Sequence, residues 1–69
     1  MSWNTLPPDI RTIAERDLTR KQLDVLKLTL AGWGTRRIAN YLGVAEPTAR
    51  AHRDAAYRKL APYIEKEAA

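Results

Sequence analysis

The run Thr35-Arg36-Arg37-Ile38-Ala39-Asn40-Tyr41-Leu42-Gly43-Val44-Ala45-Glu46-Pro47-Thr48-Ala49-Arg50, residues 35–50, decides the fold. Ile38, Ala39 and Leu42 fall on one face of a short helix predicted over 35–42. Gly43 ends that helix, because glycine takes the left-handed turn that closes a helix without steric cost. Val44 plugs the corner, and Ala39 is small enough to let a second helix come close. That second helix is predicted from Pro47 to Leu60, with Ala49, then His52 or Ala56, then Leu60 turned inward. Pro47 pushes the residue before it out of helical angles, so Glu46 is expected to act as the cap. Two helices joined by so tight a turn make a helix-turn-helix.

The flanks read as supporting helices. Upstream, Thr19-Arg20-Lys21-Gln22 fits a capping box, and Leu18 is placed to staple against Leu23. Val25, Leu26 and Leu30 continue that helix, and Gly32 closes it. Trp33, between Gly32 and Gly34, is read as packing inward rather than stacking on a base. An earlier helix is predicted from Pro8 to Arg16, since proline suits a first helical turn. Its Ile10 and Ile13 are expected to cover Leu23 and Leu30. Met1 to Pro7 reads as an extended arm, with Trp3 and Leu6 either folded back or free. Downstream, Pro62 is expected to break or kink the chain before a last short turn at Tyr63 and Ile64. No stretch alternates like a strand and there is no Asn-Gly or Asp-Gly turn. The fold class is therefore all-α, a small four- to five-helix bundle containing a helix-turn-helix. One domain is expected over 1–69, with an arm at 1–7, supporting helices at 8–32, the motif at 35–60 and a C-terminal turn at 61–69.

Size and charge narrow the function. A chain of 69 residues buries only about 60% of its unfolded surface, which leaves little room for a pocket between lobes. There is no cysteine, a single histidine and no clustered carboxylates, so no disulfide, metal site, cofactor site or nucleophile–base pair is visible. No apolar run is long enough to span a membrane, and Met1 to Asp9 does not read as a signal peptide, so a cytoplasmic location is expected. The net charge of +4 is unevenly spread. Residues 1–32 hold five bases and four acids, residues 61–69 one base and two acids. Residues 33–60 hold six bases (Arg36, Arg37, Arg50, Arg53, Arg58, Lys59) against Glu46 and Asp54. A basic patch centred on the motif favours a polyanionic partner.

Individual bases differ in what they suggest. Arg36 and Arg37 stand in the first turn of a helix, where the helix dipole disfavours positive charge. With Thr35 and the free N–H groups there, they are assigned to DNA phosphate. Arg20 and Lys21 repeat the pattern, as phosphate contacts or as solvated charges. Arg58 and Lys59 read as bases that complement a helix C-terminus. A recognition helix reads bases with its N-terminal half, and arginine matches the paired acceptors of guanine. Arg50 is thus assigned to a base, Arg53 to a base or phosphate, Ala51 to a thymine methyl and Thr48 to a phosphate. His52 reads equally as a packed or a DNA-contacting residue.

As a set, Leu18-Thr19, Gln22, Val25-Leu26, Leu28, Gly32, Ile38-Ala39, Leu42-Gly43-Val44, Thr48, Arg50, His52 and Arg58-Lys59-Leu60 resemble the LuxR/GerE-type DNA-binding domain. The chain is also similar, more loosely, to region 4 of bacterial sigma factors. The resemblance implies four helices, usually paired as a dimer, with the third as recognition helix, which the extra helix here makes the fourth. It also implies that Thr48, Arg50, His52 and Arg53 lie on or near the DNA-facing side. This chain departs from the pattern at Ala45, where Ser or Thr is usual, at Pro47, at Asp54 and at Arg37, where Glu is usual.

The expected function is sequence-specific binding of double-stranded DNA by a small transcriptional regulator. Two surfaces are candidates for pairing copies: Tyr63 with Ile64, or the arm with Trp3 and Leu6. Two other readings stand beside it. One is a protein-interaction module that docks on RNA polymerase, a sigma factor or a host regulator. The other is a DNA-architectural or packaging adaptor.

Overall fold

The computed structural model describes residues 2–68, with side chains through Ile64. A 3-10 turn at Trp3–Thr5 precedes four helices: α1 (Pro8–Asp17), α2 (Arg20–Leu30), α3 (Thr35–Leu42) and α4 (Glu46–Ala68). The described residues contain no strand, and the all-α reading stands.

Local signals set most boundaries. The Thr19 hydroxyl accepts from the Gln22 N–H at 3.2 Å, and Gln22 Oε1 accepts from the Thr19 N–H at 3.1 Å, a complete capping box. At the far end of α2, Gly32 takes φ +97°. The Trp33 N–H then donates to the Leu28 carbonyl at 3.1 Å and the Gly32 N–H to Thr29 at 3.0 Å, the paired bonds of a Schellman ending. Gly43 closes α3 with φ +71°, and the N–H groups of Gly43 and Val44 both donate to the Ala39 carbonyl, the latter at 3.0 Å.

Helix α4 joins two apolar clusters. Its first turns seat Ala49 among Val25, Ile38 and Ala39, with Leu28, Trp33, Leu42 and Val44 around them. Its later turns seat Ala56 and Leu60 among Ala14, Leu18 and Leu26, with Trp3, Ile13, Leu23 and Leu30 around them. Ala49 and Ala56 are fully buried, so their small side chains set how closely α4 approaches the other helices. Of the two inward options, Ala56 is the buried one, and His52 lies half-buried on the flank. Helix α2 serves both clusters, through Val25 on one side and Leu26 on the other.

Polar ties reinforce the junction of α1 and α2. Lys59 Nζ donates to the Asp17 carbonyl at 3.2 Å and to Gln22 Oε1 at 2.8 Å. It thus meets the carbonyl end of α1, where a cation is favoured, and braces the capping box of α2. Arg16 donates through Nε and Nη2 to the Asp17 carboxylate at 2.7 and 3.0 Å. Those hydrogen bonds, then the charges of Arg16 and Lys59, hold the Asp17 carboxyl below its usual range despite some desolvation.

Four expectations are corrected. The arm is not extended: the Thr5 hydroxyl accepts from the Ser2 N–H and donates to the Ser2 carbonyl, closing the 3-10 turn. Trp3 folds back on the core, with Lys27 Nζ 4.9 Å from its ring centre. Glu46 is the first residue of α4 rather than its cap, and the first helical bond runs from the Ala49 N–H to the Ala45 carbonyl at 3.0 Å. Pro47 is tolerated because a first-turn N–H has no helical partner to lose. Pro62 does not end the helix, which continues to Ala68, so the separate turn at 61–69 is absent over the described residues. Pro62 is exposed, away from the buried line of Ala49, Ala56 and Leu60, so the carbonyl it orphans one turn back faces the solvent side. As a consequence Arg58 and Lys59 lie in mid-helix and do not complement a C-terminus of their own helix.

Pro62→Ala restores the missing backbone bond and is expected to raise helicity and slow amide exchange over 62–68. Unchanged circular dichroism and exchange would contradict a continuous helix there.

Candidate nucleic-acid interface

The N-termini of α3 and α4 meet at one corner of the molecule. Gly34 precedes α3 at the capping position and offers no side chain, so the first N–H groups of α3 have no side-chain acceptor from the cap. Arg36 and Arg37 follow at once, about 100° apart around the helix, and their side chains diverge. Arg36 is 87% exposed, and its Nε lies 3.6 Å from Glu46 Oε2 at the start of α4. Arg37 turns the other way and stacks over Trp33, 3.7 Å from the ring centre. Trp33 in turn meets Tyr41 edge-on at 5.3 Å.

On α4, Arg50 Nη2 donates to Glu46 Oε1 one turn back. Glu46 thus binds arginines from both helices. Arg50 remains 51% exposed, and Thr48 and Ala51 are exposed on the same stretch of α4. With Ala49, Ala56 and Leu60 buried, a step of about 100° per residue puts Pro47, Ala51, Asp54 and Arg58 on the outermost line of α4. Arg53 lies closer to the buried line, only 30% exposed, and pairs with Asp54 at 3.1 Å. Arg58 is exposed and makes no ion pair among the described residues. His52 shares its flank with Lys59, seven residues on, and makes no hydrogen bond among the described residues.

Of the assigned residues, the fold brings Arg36, Glu46 and Arg50 together, with Thr48 and Ala51 exposed in the first two turns of the same helix as Arg50. Arg20 and Lys21 sit apart, at the start of α2. Arg20, 3.7 Å from Asp24, lines an open cleft of about 330 Å3 with Lys27, Leu28, Tyr41 and Leu42. Sequence reasoning missed the Arg37–Trp33–Tyr41 stack, with Tyr41 69% exposed. The spacing 33, 37, 41 was its visible signal, an aromatic, a cation and an aromatic four residues apart. Among the described residues no cluster of three His, Asp or Glu side chains is arranged to hold a metal, and no helix is long and apolar enough to cross a membrane.

The arrangement is a helix-turn-helix whose helix starts meet at a corner with Arg36 and Arg50 on either side of Glu46. Residues 16–62 match the model of the GerE domain of bacterial regulatory proteins of the luxR family. The chain belongs to the LuxR family. The match takes in α2, α3 and α4 through Pro62, while most of α1 and the N-terminal turn lie outside it. No curated protein and no solved structure gives a match. As a LuxR-family helix-turn-helix, the chain is a DNA-binding domain of the transcription-regulating class.

Proposed function

We propose that this LuxR-family chain recognises particular double-stranded DNA sequences and acts as a small transcriptional regulator. The N-terminal half of α4 enters the major groove. The observation that carries this is the meeting of Arg36 and Arg50 at adjoining helix starts. Helix starts are suited to phosphate, and the first two turns of a recognition helix are suited to base edges. In this reading Arg50 reads a base, with Ala51 against a thymine methyl and Thr48 on a phosphate. Arg36 anchors phosphate with Thr35, and Arg37 reaches phosphate from its stack on Trp33. Arg53, half-buried and paired, contributes less than its position in the sequence suggests. Pairing of copies falls to Ile64, which is exposed, more than to Trp3, which the core already engages. Tyr63 is drawn toward α1, its hydroxyl 3.5 Å from Arg16 Nη2.

Selection of bound oligonucleotides from a random duplex pool tests the reading. Purified protein is expected to enrich a motif, and two half-sites about 34 Å apart if copies pair. A pool left unenriched despite retention at low salt would favour an architectural adaptor instead. No retention at low salt would overturn DNA binding by this chain.

A further inference from the structure

Residues 33–60 contain two acids, and both are engaged by arginines assigned to DNA. Asp54 holds Arg53, and Glu46 holds Arg36 and Arg50 together. Glu46 is the more telling of the two. It sits in the first turn of α4, with one carboxylate oxygen toward each guanidinium, and reaches across to α3. A DNA phosphate approaching this corner would present its oxygens to the same two groups.

We infer that Glu46 is an internal competitor for the DNA phosphate and sets the specificity of the interface. This rests on the DNA-binding reading above. In the free protein the carboxylate occupies Arg36 and Arg50. A backbone phosphate arriving alone must displace it and also meets its negative charge. An exposed ion pair is worth at most about five-fold in an equilibrium, comparable with what one phosphate contact returns. A random duplex therefore gains little at this corner. A guanine in register offers Arg50 two acceptors, worth roughly five- to one-hundred-fold in discrimination, and that exceeds the pair it replaces. Glu46 thus acts as a positioning residue that suppresses binding to the wrong sequence more than to the right one.

Glu46→Gln keeps the size and a hydrogen-bond acceptor but removes the charge. Its affinity for random duplex is expected to rise about five-fold, with a salt dependence steeper by roughly one released counterion. Affinity for a selected duplex should rise less, so the ratio between them falls about three-fold. Glu15→Gln, on α1, alters net charge equally and serves as control. Equal effects from the two variants would overturn the inference, because bulk charge would then suffice. A fall in selected binding with random binding unchanged would also overturn it, since Glu46 would then be an aligning residue only. In the DNA-free protein, the Nε–Hε resonances of Arg36 and Arg50 should move in Glu46→Gln and stay put in Glu15→Gln. Unmoved resonances would show that the carboxylate does not hold them. Wild-type protein that binds no duplex overturns the DNA reading and this inference together. Wild-type binding with an unchanged ratio in Glu46→Gln overturns the inference alone.

Discussion

Replacing Arg50 with alanine is expected to lower affinity for a selected duplex by roughly ten- to one-hundred-fold, while random duplex loses only a few-fold. The size follows from geometry. A guanidinium facing two acceptors of one base makes two hydrogen bonds of fixed direction, which a phosphate contact does not require. Arg50 stands one turn into α4 and half-exposed, so it can leave Glu46 without disturbing the buried line of Ala49 and Ala56. Arg36→Ala is the comparison: it should weaken both duplexes alike and flatten the salt dependence by about one ion. Binding isotherms on selected and random duplex across a salt series separate the two. Equal losses on both duplexes for Arg50→Ala would mean that Arg50 touches backbone only.

Leu60→Ala is expected to destabilise the domain by about 2–5 kcal/mol. A chain of this size has a total stability of only about 3–10 kcal/mol, so the variant approaches the threshold of folding. Leu60 is almost fully buried and closes a cluster drawn from α1, α2 and α4. Two of the five buried residues of that cluster, Ala14 and Ala56, are alanines with no side-chain freedom to move into the void. Ile64, one turn later and half-exposed, provides the contrast. Ile64→Ala should change the unfolding free energy, measured by urea titration, by less than about 0.5 kcal/mol in the free monomer. If the two variants lose similar amounts, the later turns of α4 do not pack on α1 as described.

The two substitutions probe the two ends of one helix. Its early turns carry charge outward and a single alanine inward, whereas its later turns hold the supporting helices in place. The match to the LuxR family takes in both Arg50 and Leu60 but begins only at Arg16, so most of α1 adds core beyond the family domain. Ile10 and Ala14 of α1 are buried, and this added layer enlarges the core.

Much of this was legible from residues alone, for a local reason. A capping box joins residues three apart, and a glycine ending joins residues five apart. Thr19, Gln22, Gly32 and Gly43 therefore state their roles without knowledge of the rest of the chain. The buried stripe of Ile38 and Ala39 followed from helical periodicity for the same reason. The helix-turn-helix and its basic corner rest on such signals.

Tertiary structure decided what depends on distant partners. Lys59 and Asp17 are 42 residues apart, so a base read as serving its own helix end serves α1 instead. Pro62 carries a local signal to stop, but the helix passes it on the exposed side, where the lost bond costs least. Arg36 and Arg37 are neighbours with one local rationale, yet one faces Glu46 and the other Trp33. Sequence by itself determined that two helices, each with arginines in its first two turns, would meet across Gly43. Only the folded chain decided which arginines share a carboxylate there, because side-chain direction is set by the neighbours a residue acquires on packing.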